Sequence, residues 1–281
     1  MGTDHAPAVL CAMPGLDITV PGPGQPDVPP GEVRQRWLDH DGRLVATGGR
    51  QGNTWWMHWR GLATFRFGDA GPVRAEPVGP GLDDELHDIF ARGVMPVVLL
   101  AREFEGLHAS AVLEPAGVVA LCAASGTGKS TIAVALASAG GRHYADDTVV
   151  YRVIGNRPVA ISLPFPVRVD PAARRAIAPH AARPAEPARS AEFHRIYHLV
   201  RDADLDPSRP AFSVVPASRR FELLLAHAHP FEMGGADRQR DFLERLMTLT
   251  RTVEVWECRF APDLGALRAL ASAIRGHAAG A

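Results

Sequence analysis

The chain has 281 residues and a single lysine, against 29 arginines, and that lysine falls inside the run AASGTGKST at residues 123–131. Arginine carries the positive charge everywhere else. Position 129 therefore calls for a slim ammonium where a broad planar guanidinium would not serve. The run follows the phosphate-loop pattern G-x-x-x-x-G-K-[ST], with Ala123 where the first glycine is expected. Alanine is harmless there if the residue keeps a strand-like φ, and costly if φ is positive. Gly126 and Gly128 allow the backbone to curl so that N–H groups converge on an anion. The N-terminus of the following helix adds its positive dipole end. In this reading Ala124, Ser125, Gly126, Thr127, Gly128, Lys129, Ser130 and Thr131 cradle nucleotide phosphates. Lys129 reaches the β- and γ-phosphates, and the Ser130 hydroxyl holds Mg²⁺.

The flanks supply the context this loop needs. LHASAVL, the turn EPAG and VVALCA read as a hairpin. KSTIAVALASA reads as a helix, and the chain then runs through Gly140–Gly141 into a strand toward YADD. Alternating strands and helices predict an α/β architecture from about residue 105 onward. Residues 42–76 alternate short apolar runs with glycine breaks and predict a small β-rich unit ahead of it. In TWWMHWR, period two puts Trp55, Met57 and Trp59 on a core face and Trp56, His58 and Arg60 on a half-buried one. Residues 82–104 have helical spacing, read as two helices broken near Gly93–Pro96. The expected organisation is a β-rich N-terminal domain at 1–81, a helical connector at 82–104 and a nucleotide-binding domain at 105–281. Beyond residue 154 the expected elements are a proline-punctuated strand and short helix in ISLPFPVRVDPAARRAIA, and a mobile loop at 179–192. RIYHLV reads as a strand, 236–251 as a helix, TVEVWECRF as a strand and DLGALRALASAI as a final helix.

Geometry nominates partners for the loop. A helix from Lys129 to Ala139 climbs roughly 16 Å at 1.5 Å per residue. A strand from Arg142 to Asp147 returns over a comparable distance, which lands Asp146 and Asp147 beside the phosphates. Paired carboxylates there can divide the labour, one holding Mg²⁺ and the other taking a proton from an attacking hydroxyl. A hairpin centred near residue 115 sets His108 opposite residue 123, at the start of the loop. Seven arginines at 168, 174, 175, 183, 189, 195 and 201 form a local positive excess, and Arg168 and Arg195 are the better candidates for a phosphate clamp. His227 and His229 flank Ala228 and could share a strand face, but no His/Cys quartet has zinc spacing.

Composition sets the outer bounds. A formal net charge of −1 gives no global field for nucleic acid or an acidic membrane, so neither is expected as a partner. Cys11, Cys122 and Cys258 are an odd set without a CxxC pair, which fits a reducing, cytoplasmic setting. No apolar run approaches the ~20 residues of a membrane helix. The opening MGTDHAPAVL lacks the basic region of a signal peptide.

Together, LHAS, AASGTGKS and YADD resemble the catalytic domain of the HPr kinase/phosphorylase family, whose fold is related to phosphoenolpyruvate carboxykinase. His108 stands 21 residues before Lys129, and Asp146 17 after it. The specific resemblance spans about residues 105–153. A looser one, through PFPVRVD, RIYHLV, the helix at 236–251 and VEVWECRFAPD, extends to HPr kinase-like proteins of ribosomal-peptide biosynthesis clusters, including lasso-peptide kinases. The resemblance implies a mixed sheet with helices and an ATP- and Mg²⁺-dependent kinase acting on a serine hydroxyl of a peptide or small protein. It implies Asp146 as general base, Asp147 on the metal side with Ser130, and His108 as an auxiliary group near the phosphates. It also implies a homo-oligomer. The family's Arg-Gly-x-Gly signature and metal-side Glu have no equivalent here, so reversal of the phosphorylation is not expected.

Overall fold

A computed structural model describes residues 13–19, 27–39, 41–163 and 190–280. The predicted strand and helix after residue 163, and Arg168, Arg174, Arg175, Arg183 and Arg189, lie outside the described residues. By contacts the chain divides into two units: Ala12–Phe104 with Pro230–Phe242, and Glu105–His229 with Leu243–Ala281.

The first unit is built on a six-stranded sheet. Its strands are β1 (Leu16–Ile18), β2 (Gln35–Leu38), β3 (Leu44–Gln51), β4 (Thr54–Trp59), β5 (Ala63–Phe67) and β6 (Val73–Pro77), in the order β1-β6-β5-β4-β3-β2. The two faces of β4 are both buried, so the half-buried face expected for Trp56 and His58 is corrected to core. Burial of an imidazole is tolerable because both its nitrogens are used: Nδ1 meets Thr64 Oγ1 at 3.0 Å and Nε2 meets Asp27 at 3.1 Å.

Residues 83–101 are also corrected. They run without a break as α1 (Asp83–Ile89), a wide π turn (Phe90–Val94) and α2 (Met95–Ala101). Asp83, Asp84 and Glu85 occupy the first turn, where the dipole favours them. Pro96 is interior to this run, so its missing N–H removes a helical bond and its ring crowds the preceding turn; the run widens just before it, where the N–H of Met95 donates to the Phe90 carbonyl.

The second unit holds the loop. Its sheet comprises β7 (Glu105–Leu107), β8 (Ala109–Glu114), β9 (Gly117–Cys122), β10 (Arg142–Ala145), β11 (Val149–Ile154), β12 (Arg157–Ile161), β13 (Ser190–Arg201), β14 (Ala211–Val214), β15 (Ala228–His229) and β16 (Glu254–Phe260). The order is β10-β8-β9-β13-β12-β11-β7-β15, with β16 also paired to β13 and β14. It is a mixed sheet. β13 runs parallel to both β9 and β16, whereas β8 is antiparallel to β9 and to β10. The helices are α3 (Lys129–Ser138), α4 (Ala217–Leu225), α5 (Gly235–Thr252, which crosses the division between units) and α6 (Leu267–Ala279). The fold is α/β. α3 and α6 pack on the sheet over a core that includes Val112, Leu121, Ile132, Leu136, Leu270 and Ile274.

Register does the positioning. Ala109 pairs with Cys122, which sets His108 across from Ala123. β7 pairs with β11 and β15 while β8 pairs with β9 and β10, so His108 is the residue at which the chain changes partners. The hairpin turn depends on Gly117, whose φ is 132° and where a Cβ would lie 2.7 Å from the Glu192 carbonyl oxygen. Neither backbone can yield cheaply. We expect Gly117→Ala to lower the unfolding free energy by about 2 kcal/mol in denaturant titration. An unchanged midpoint would contradict this close approach.

Candidate functional site

The site forms where β9 ends and α3 begins. Ala123 is buried and is not among the residues with positive φ, so its replacement of the expected glycine is free of strain. Gly126 and Gly128 do need their freedom, with φ of 76° and 110°. The carbonyls of Gly126 and Thr127 accept bonds from Arg201 at the end of β13, at 2.7 and 3.1 Å. A trans peptide points its C=O and N–H in opposite directions, so carbonyls drawn to Arg201 send the Gly128 N–H to the other side of the loop. The Ile132 N–H donates to the Gly128 carbonyl at 2.9 Å. The N–H groups of Lys129, Ser130 and Thr131 are left over from the helix ladder. Donors and dipole together make an anion cradle.

Lys129 lies inside this cradle and is only 7% exposed. Its ammonium donates to the Ala123 carbonyl at 3.0 Å and to His108 Nε2 at 2.9 Å, with the Ala124 carbonyl at 3.5 Å. A cation can donate to Nε2 only if that nitrogen is unprotonated, so His108 is neutral with its proton on Nδ1. Nδ1 lies 3.5 Å from Asp147. Desolvation pushes the pKa of His108 below its ordinary value, and the Lys129 charge adds to this. Burial also lowers the pKa of Lys129, partly opposed by Asp147. The result is a file of carboxylate, imidazole and ammonium.

A second file runs beside it. Ser110 donates its hydroxyl to Asp146 at 2.9 Å and lies 3.4 Å from the Ser130 hydroxyl. Ser110 is fully buried, and Asp146 is 5% exposed. The side chain of Asp147 is 82% exposed, on a backbone with φ of 65°. Aspartate tolerates that left-handed region better than most residues. The sharp turn sends the two neighbouring carboxylates to different partners, Asp146 toward Ser110 and Asp147 toward His108.

The structure thus brings Lys129, His108, Asp146, Asp147 and Ser130 together, as spacing suggested. Arg195 is elsewhere. It is buried in β13 beside Val119, donating to Glu254 at 3.1 Å and to the His277 carbonyl at 2.8 Å, so its nomination as a phosphate clamp is corrected. A guanidinium with only 3% of its side chain exposed and an acid partner is a structural pair. Arg201 is the arginine that meets the loop. Ser110 was not singled out from sequence, although strand alternation places it on the same face as His108.

Three more histidines surround His108. The His108 N–H donates to the His227 carbonyl at 2.6 Å, the ring stands edge-on to His229 at 5.8 Å, and His198 faces His227 at 5.5 Å. Among the described residues no group of three His, Cys, Asp or Glu side chains is placed so that it could hold a metal ion. Burial first, then repulsion from His198 and His108 once they are protonated and from the Lys129 charge, lower His227 to about 4. An unfolded histidine titrates near 6.5, so the unfolded chain binds the extra proton between pH 6.5 and about 4. Stability is therefore expected to fall as pH drops through that window. His227→Gln is expected to make the slope measurably shallower in pH-dependent unfolding, and an unchanged slope would show that His227 does not carry it.

Among the described residues no helix is long and apolar enough to cross a membrane. No family model matches the chain, and no curated protein matches it. Among solved structures the chain is similar to the HPr(Ser) kinase/phosphatase from Coxiella burnetii, at 13% identity and a TM-score of 0.37, over 62% of this chain and 91% of that one. At that similarity, the reading of the site rests on its own geometry.

Proposed function

We propose that the chain is an ATP-dependent kinase that transfers the γ-phosphoryl group to a hydroxyl, the acceptor being a serine of a peptide or small protein. One observation carries the reading. A buried ammonium in an anion cradle, a hydroxyl on the first turn of the helix and a fixed buried carboxylate meet at one loop. A module that only binds nucleotide has no use for a second carboxylate at that place. The acceptor class follows from the motif resemblance.

In this mechanism the loop N–H groups and Lys129 hold the phosphates and offset the charge that develops as the γ-phosphoryl group moves. The Lys129 contacts with Ala123, Ala124 and His108 hold its head at the loop before any ligand arrives. Asp146 is kept rigid by Ser110 and takes the proton from the acceptor hydroxyl. The acceptor oxygen bonds to phosphorus as the bond to the β-phosphate oxygen breaks, and ADP leaves. Ser130 and Asp147 are hard oxygen donors, and with phosphate oxygens and water they fit Mg²⁺. That ion, when bound, neutralises phosphate charge. The exposure of Asp147 suits an ion that keeps much of its hydration, and the burial of Asp146 suits a base that must not wander. A second reading, with the two carboxylates exchanged, is favoured by the approach of Asp146 to Ser130 through Ser110.

Lys129→Arg is expected to abolish ATP binding, because the broad fork does not fit a slot bounded by Ala123, Ala124 and His108. Wild-type binding by calorimetry in that variant would sink the loop assignment. Asp146→Asn is expected to keep nucleotide affinity within about tenfold, 1.4 kcal/mol, while losing phosphoryl transfer to a polypeptide acceptor. Asp147→Asn is expected to raise the Mg²⁺ requirement and to recover transfer at high Mg²⁺. The opposite pattern in the two variants would establish the exchanged roles.

A further inference from the structure

Two imidazoles stand beside the loop that phosphoryl transfer does not use. His198, near the end of β13, is in register with Cys122 of β9 on one side and with Glu257 of β16 on the other. Its ring faces that of His227 at 5.5 Å, and the His227 carbonyl accepts the His108 N–H at 2.6 Å. Both rings are half-buried, and among the described residues neither has a hydrogen-bond partner. His198 Nδ1 is fully enclosed without one. We propose that His198 and His227 are a reserve of positive charge: neutral while the loop is empty, they take protons from solvent as a polyphosphate enters, so that nucleotide binding consumes protons and strengthens as pH falls. The inference rests on the proposed reading of the loop and adds a control on its affinity.

Placement explains why both rings stay neutral in the empty chain. His227 meets Lys129 from α3, His108 from the crossing between β7 and β8, and His198 from β13, and each disfavours a proton on it. His198 meets Arg219 of α4, which repels a proton, and Glu257 of β16, which attracts one. His229 on β15 lies beyond the His108 ring, with Thr148 Oγ1 at 3.4 Å and Asp147 acting on it. Burial is the largest influence on both His198 and His227 and works in the same direction.

A polyphosphate reverses this field. Its oxygens engage Lys129, which lifts the repulsion that the ammonium exerts on His227, and its own charge favours imidazolium. An opposite charge within ~4–6 Å raises a pKa by about 1–3 pH units, which takes His227 from about 4 to roughly 5–7. A protonated ring carries two N–H donors, and no described group claims those of His227, so each proton gained is a donor gained for the anion. Linkage fixes the sign. The occupied site has the higher pKa, so affinity is flat above that value, rises as pH falls through it and levels off below the pKa of the empty site.

The test is calorimetry of the wild-type chain with magnesium–ATP, without an acceptor, in paired buffers of different ionisation enthalpy, which counts protons exchanged on binding. Uptake of about half a proton or more per ATP is expected near pH ~6, and almost none near pH ~8. Affinity is expected to be about fourfold tighter at the lower pH. The double variant His198→Gln, His227→Gln keeps the backbone carbonyl that His108 uses. It is expected to bind ATP within about twofold of wild type near pH ~8, where the imidazoles are neutral, and to lose more than half of the proton uptake near pH ~6. Each single variant is expected to fall between, and serves if the double variant does not fold. Binding of ATP without proton uptake, or uptake undiminished in the variants, would overturn the proposal while leaving the cradle standing. Failure of the wild type to bind ATP at either pH would instead remove the cradle, and the charge reserve with it.

Discussion

Everything at this site turns on keeping a positive charge out of water without neutralising it. An ammonium taken from solvent loses hydration worth several kcal/mol, and burial alone drives it toward the neutral form. The protein answers with two close hydrogen-bond acceptors on Lys129, the Ala123 carbonyl and the His108 imidazole. Asp147 stands behind His108 and supplies negative charge without touching the ammonium. A charge so lightly compensated remains available to a polyanion. Pairing it directly with a carboxylate would have stabilised the empty chain and left little attraction for phosphate.

The loop cannot do this alone, because its carbonyls must turn away for its amides to turn inward. Arg201 draws two of them outward from the end of β13. The role explains an arginine at this place. Its fork spans two carbonyls of successive residues, which a single ammonium would not reach together. Cation type is thus sorted by geometry: a fork around the outside of the bend and a point charge within it.

Much of this was legible in the sequence. The loop, its helix and the return strand toward Asp146 and Asp147 obey short-range rules of period and length, and the hairpin register followed from one turn position. The position of Ala123 could be judged only once φ was known. Arg201 was one of seven arginines with nothing local to distinguish it, because its partners lie more than seventy residues away. Arg195 looked equivalent and is a buried structural pair. The faces of β4 were misjudged because a two-residue period reports side, not cover. The helical run after residue 82 was misjudged because Gly93 and Pro96 signal a break only when the backbone has no wider turn to spend on them.

His108 occupies the single position between β7 and β8, where one continuous stretch of chain hands over from one set of neighbouring strands to another. Its backbone amide is spoken for by His227, and its ring by Lys129 and Asp147. One residue therefore touches both the ammonium and the line along which the sheet changes its pairing, so the place of the charge in this fold is set by strand register as much as by the loop.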